Sequence, residues 1–122
     1  MKAIALVGER PGALVSLNDR LHWVQANELR KLWQASAFYL VAQNRIKPLT
    51  VFPVTVSVTF TTKTPNQRRD PHNFTPTLKH LIDGFTMAGL WPDDDSKHVR
   101  TLEPVFVAGD GRKFTVDITW ED

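Results

Sequence analysis

The stretch RRDPHNFTPTLKHLIDGFTMAGLWPDDD, residues 68–95, decides how this chain folds on paper. Its middle reads as an amphipathic helix: Thr75 as N-cap, Pro76 at the first helical position, Leu78, Leu81, Ile82, Phe85 and Ala88 as the buried face, and Gly89 as the stop. Acidic groups bracket that helix, Asp70 before it and Asp93, Asp94 and Asp95 after it, and Arg68 and Arg69 stand directly ahead of Asp70. Carboxylates gathered in one place repel unless a cation lies between them. Arginines beside such a site suit a phosphate-bearing substrate. The stretch therefore reads as a metal-dependent phosphodiester site.

Immediately upstream, Val54-Thr55-Val56-Ser57-Val58-Thr59-Phe60 alternates apolar and hydroxyl side chains, the period of a half-buried strand. It runs out through Lys63 and delivers Arg68, Arg69 and Asp70 at or just past its end, where loops on a rigid scaffold commonly carry sites. Further back, a helix is expected over 27–44, with Asn27 as N-cap and Leu29, Leu32, Trp33, Ser36, Leu40 and Val41 on one mostly apolar face. Ala3–Val7 reads as a short buried strand and Ser16–Arg20 as a polar loop, in which Asn18 and Arg20 suit a phosphate backbone or Asn18 and Asp19 merely cap a turn. Downstream, 99–107 and 114–120 read as two final strands, with Gly109-Asp110-Gly111 as a hairpin turn between them. The order is β-α-β-α-β-β: one small α+β domain over 1–122, its helices packed on a mixed sheet.

Composition narrows the classes of function. The 122 residues hold no cysteine, which excludes disulfides and thiolate metal sites, and no apolar run is long enough to span a membrane. The expected setting is the cytoplasm. The net charge of +2 is unevenly spread: residues 1–69 hold ten basic and three acidic side chains, residues 70–122 five and ten. Such a division suits one face for a polyanion and one for cations. No Gly-rich phosphate loop, nucleophile elbow or Cys-His pair is present, so activated water is the natural attacking group and no small-molecule cofactor is expected.

The metal candidates are Asp70, His72 and the Asp93–Asp95 cluster. Magnesium takes hard oxygen ligands and keeps several waters, so two carboxylates and substrate oxygens suffice. If the 70–72 segment is extended, Asp70 and His72 project to one side, and the imidazole would make manganese more acceptable; if Asp70-Pro71 instead starts a turn, His72 is solvated and the three aspartates form an exposed loop. Lys79 is placed to neutralise a phosphate or a leaving oxygen, although an i,i+4 surface pair with Asp83 explains both residues equally well. His22, His80 and His98 have no ligand-like spacing and read as surface or capping residues.

At these residues the chain resembles the RusA family of Holliday-junction resolvases, many of them encoded by phages and prophages. The matching core is Arg-Arg-Asp70-Pro-His72-Asn73, then Lys79, then Asp83-Gly-Phe-Thr-Met-Ala-Gly89-Leu-Trp91-Pro-Asp93-Asp94, about a quarter of the chain. The resemblance implies a Mg²⁺-dependent endodeoxyribonuclease of DNA recombination and repair that cuts branched DNA as a homodimer. It places the family's catalytic aspartates on Asp70 and Asp94, with Asp95 the runner-up, and its lysine on Lys79. His72 stands where the commoner family form has a second aspartate, and about three extra residues separate Asn73 from Lys79. On this basis Asp70, His72 and Asp94 are expected to hold Mg²⁺ or Mn²⁺, and Arg68, Arg69, Arg20, Lys63 and Asn18 to contact nucleic acid. The alternatives are a DNA-junction-binding protein that keeps the fold without cleavage, and a phosphohydrolase of nucleotides, for which no nucleotide pocket is encoded.

Overall fold

In a computed structural model that describes residues 1–64 and 70–121, five strands carry two helices on one face. The elements are β1 (Lys2–Glu9), α1 (Trp23–Gln43), β2 (Val54–Thr62), a 3₁₀ turn (Pro71–Phe74), α2 (Thr75–Met87), β3 (Val99–Thr101), β4 (Val105–Ala108) and β5 (Lys113–Trp120). The strand order is β1-β5-β2-β3, with β4 also on β2. β5 runs antiparallel to both its neighbours, whereas β3 and β4 run parallel to β2. The sheet is thus mixed and the α+β expectation holds.

Period-two alternation aligns the core into rows. Val56 faces Ile118 and Ile4 across the sheet, Val58 faces Val116 and Leu6, and Phe60 faces Phe114 and Gly8. The buried members of these rows lie under Trp33, Ala37, Leu40 and Val41 of α1 and Leu78, Leu81, Ile82 and Phe85 of α2. Each buried Val, Leu, Ile or Phe side chain among them contributes about 1.5–3 kcal/mol by leaving water. Glycine is required at the third row: a Cβ on Gly8 would stand 2.7 Å from the Phe114 ring.

Several local expectations are corrected. α1 begins at Trp23 rather than near Asn27, because the His22 imidazole caps it, Nδ1 accepting from Val24 N–H at 3.3 Å. Its buried stripe runs through Ala37, while Leu32 is 44% exposed. β1 is an edge strand with only Leu6 buried. α2 starts one residue early, with Phe74 in the cap position and no side-chain cap, since the Thr75 N–H already bonds to the His72 carbonyl of the 3₁₀ turn. The helix ends as expected before Gly89, at φ +81°.

The largest departure lies in 99–107, which forms two strands, and these do not make a hairpin with β5. Both add to the far side of β2, so the Gly109–Gly111 turn carries the chain across the end of β2. There Gly109 N–H donates to the Thr62 carbonyl and Gly111 adopts φ +78°. Between β3 and β4 the register slips. Val56 pairs with Thr101 but Thr59 pairs with Val105, so three steps of β2 are matched by four of its partner. The extra residue is a bulge at Leu102-Glu103-Pro104, where proline has no N–H to donate.

The N-terminal loop is tied to α2 by one buried hydroxyl. Thr77 Oγ1 accepts from Val15 N–H (2.7 Å) and donates to the Val15 carbonyl (3.0 Å), and Thr77 is fully buried. Thr77→Val should therefore cost about 1–3 kcal/mol by leaving both Val15 groups without this partner. Urea denaturation checks the loss. A change below about 0.5 kcal/mol, the size of an ordinary surface substitution, would show that water replaces the hydroxyl freely. Among the described residues no helix is long and apolar enough to cross a membrane.

Candidate active site

Four segments converge on one cavity of about 410 Å³ beside the N-terminal half of α2. His72 comes from the 3₁₀ turn, and Thr75, Leu78, Lys79 and Ile82 come from α2. Asp94 lies in the loop after the helix, and Thr101, Leu102 and Glu103 lie at the bulge in the sheet edge. Two of these groups come from opposite ends of the bracketed helix. The helix is short and the following loop folds back along it, so Lys79 Nζ reaches both Asp83 Oδ1 (2.9 Å) and Asp94 Oδ2 (2.5 Å).

The i,i+4 pair expected from sequence is present, but the ammonium is shared with the aspartate fifteen residues on. The hydrogen bond to Asp94, then that to Asp83, raises Lys79 above its ordinary value, and the same lysine lowers Asp94 below the usual carboxylate range. The pair's stabilisation is therefore present above the ordinary carboxylate range and fades as pH falls through the lowered Asp94 value. On the alkaline side it persists until pH rises through the raised Lys79 value. Lys79 is 60% exposed, so solvent screening holds the contribution to about 0.5 kcal/mol. Lys79→Met is expected to move the Asp94 titration upward, toward the ordinary range, as followed by carboxyl ¹³C shifts. An unmoved titration would show that Lys79 does not hold Asp94 in solution.

The acidic cluster divides by partner. Asp95 Oδ1 meets His98 Nδ1 at 2.5 Å, and Asp93 Oδ1 accepts from Asp94 N–H at 2.8 Å. Asp94 alone of the three lines the cavity. Asp70 does not line it: its carboxylate caps the 3₁₀ turn, accepting from His72 N–H at 3.1 Å. Of the two forms that the sequence allows for 70–72, extended or turned, the chain adopts the turn: Asp70-Pro71 starts it and Asn73 N–H bonds back to the Asp70 carbonyl. Asp70 and His72 therefore do not project together as alternating strand residues.

Glu103 was not singled out by sequence reasoning, yet its carboxylate lies 3.8 Å from His72 Nδ1 across the cavity. The signal available for it was Glu103-Pro104 interrupting the strand expected over 99–107. As donors, the Asp94 and Glu103 carboxylates and the His72 imidazole suit a hard or borderline divalent cation. Among the described residues no three such side chains stand close enough together to hold one in this arrangement.

Of the expected nucleic-acid contacts, Asn18 and Arg20 lie on an exposed loop that is anchored to the 3₁₀ turn, Leu17 N–H donating to the Asn73 carbonyl at 2.7 Å. Lys63 is exposed just beyond β2. Arg68 and Arg69 lie outside the described residues. His22 and His98 cap or pair locally, as expected. His80 is instead half-buried, with Nδ1 unpartnered, and burial holds it below the ordinary histidine value. Comparison of the chain with models of known families and with curated proteins finds no match.

Proposed function

We propose that this chain is a metal-dependent endodeoxyribonuclease of the RusA type, cutting branched DNA such as a four-way junction and working as a homodimer in the cytoplasm, that of the host where the gene is phage-borne. The observation that carries the reading is the convergence of His72, Lys79 and Asp94 on one open cavity from three separate segments. These are three of the four positions onto which the family's motif falls, and Asp70 caps the turn that presents His72. When bound, Mg²⁺ or Mn²⁺ supplies Lewis-acid activation of water and neutralises phosphate charge. Asp94 and His72, with Asp70, would hold it. Lys79, held between Asp83 and Asp94 at the same cavity, would neutralise a scissile phosphate or a leaving oxygen. Asn18, Arg20 and Lys63, with Arg68 and Arg69, would track backbone phosphates, which makes binding salt-sensitive and largely blind to sequence.

A second reading is a junction-binding protein without cleavage. It is favoured by one observation: Asp94 is engaged by Lys79 while the other donors stand apart. The experiment that decides is cleavage of a synthetic four-way junction against linear duplex of the same sequence, with Mg²⁺, Mn²⁺ or EDTA. Cuts confined to the branched substrate and lost in EDTA support the nuclease. Tight junction binding with no cuts under either metal sinks it and leaves the binding protein.

A further inference from the structure

We infer that Glu103 is a positioning residue for His72, holding the imidazole Nδ1–H so that Nε2 is the nitrogen offered to a divalent cation. The inference rests on the reading of His72 as a metal ligand. Its basis is the bulge. The sheet edge is in register with β2 up to Thr101 and again from Val105, and the extra residue falls in Leu102-Glu103-Pro104. Bulges re-aim side chains and are over-represented next to active sites.

The backbone here is well held on both sides of Glu103. Leu102 N–H donates to the Val56 carbonyl at 2.9 Å, Pro104 is buried, and a residue before proline is confined to extended conformations. Glu103 is thus fixed at its Cα while its carboxylate reaches over the cavity to His72. The 3.8 Å separation exceeds a hydrogen bond. Both side chains are 63% exposed, so a rotamer change in either can close it. A ligating histidine nearly always gives its second N–H to a carboxylate, carbonyl or water, which sets its tautomer and its basicity. Glu103 is the carboxylate beside this one.

The test uses ¹⁵N NMR of the His72 ring in metal-free protein at mildly alkaline pH, followed by Mn²⁺ titration, for wild type, Glu103→Ala and Glu103→Gln. Wild type is expected to carry its proton on Nδ1. Glu103→Ala should lose that preference and weaken Mn²⁺ binding about 10–100-fold, the usual cost of removing an outer partner. Glu103→Gln, whose amide oxygen still accepts, should restore part of both. An unchanged tautomer in Glu103→Ala overturns the inference, and a weakened Mn²⁺ site with unchanged tautomer would make Glu103 a ligand instead. No Mn²⁺ binding by wild type would overturn the metal reading itself. The tautomer measurement, made without metal, tells the two failures apart.

Discussion

Asp70→Asn and Asp94→Asn are each expected to lower junction cleavage at least about 100-fold, beyond the loss that follows removal of an outer partner of a metal site, while leaving the protein folded. Neither substitution should disturb packing. Asp70 is exposed and caps a 3₁₀ turn through one carboxylate oxygen, a role that the asparagine amide oxygen fills as well. Asp94 is a loop residue whose main partner is an exposed lysine, so its replacement forfeits a surface pair and little else. Each change therefore removes one negative charge from a defined place. Single-turnover cleavage of a four-way junction, with circular dichroism as the control for folding, measures the effect. Near wild-type rates in Asp70→Asn would remove that residue from the site and leave the cavity group of His72, Lys79 and Asp94 to be judged on its own. Near wild-type rates in both would end the nuclease reading of this cavity.

Gly84→Ala should destabilise the fold by about 2 kcal/mol or more, although alanine is favoured over glycine inside a helix by up to about 1 kcal/mol. The two tendencies oppose, and geometry decides between them. A Cβ at Gly84 would stand 2.3 Å from the Gln34 carbonyl oxygen, 2.9 Å from Gln34 Cα and 2.8 Å from the Ala37 Cβ. The obstructing atoms are mostly backbone of α1, which has no rotamer to yield. The helices must part, and both lean on the same sheet face through Trp33, Leu40, Leu81 and Phe85. For a chain of this length the loss corresponds to a fall in Tm of roughly 6–10 °C. Calorimetry and urea denaturation would read it. An unchanged or raised Tm would show that α1 and α2 slide without penalty. Because Lys79 sits on α2, the displacement should also loosen its contact with Asp94.

What the sequence made legible is what depends on neighbours along the chain. The alternation in Val54–Phe60 and Phe114–Trp120 and the spacing of Leu78, Leu81, Ile82 and Phe85 became β2, β5 and α2 with their buried faces as read. What it left out depends on neighbours in space. No local pattern tells an antiparallel hairpin from a strand that crosses over β2 to insert beyond it, and the Gly109–Gly111 turn is compatible with either. Gly84 looks like a weak point in a helix until α1 lies against it. The site divides in the same way. Lys79 and Asp94 were found through a motif, and a lysine reaching over a short helix joins them. Asp70 and His72 could be read on an extended segment or on a turn, and Asp70-Pro71 makes it a 3₁₀ turn. Glu103 lies outside the motif and reaches the cavity at the point where the edge strand is one residue longer than its partner.

The placement of β5 sets the order in which this molecule can be assembled. It is the last of the five described strands, yet it lies inside the sheet, pairing Lys2 with Trp120 on one side and Thr55 with Thr119 on the other. A nascent chain can bring β2, α2, β3 and β4 together as soon as they emerge. Among the described strands β1 has no hydrogen-bonded neighbour until β5 leaves the ribosome. Pairings of such long sequence separation make folding slow, and unpaired strand edges that wait for a partner invite association with other chains. Synthesis that stops before Lys113 thus leaves the growing polypeptide without its keystone, however complete its cavity has become.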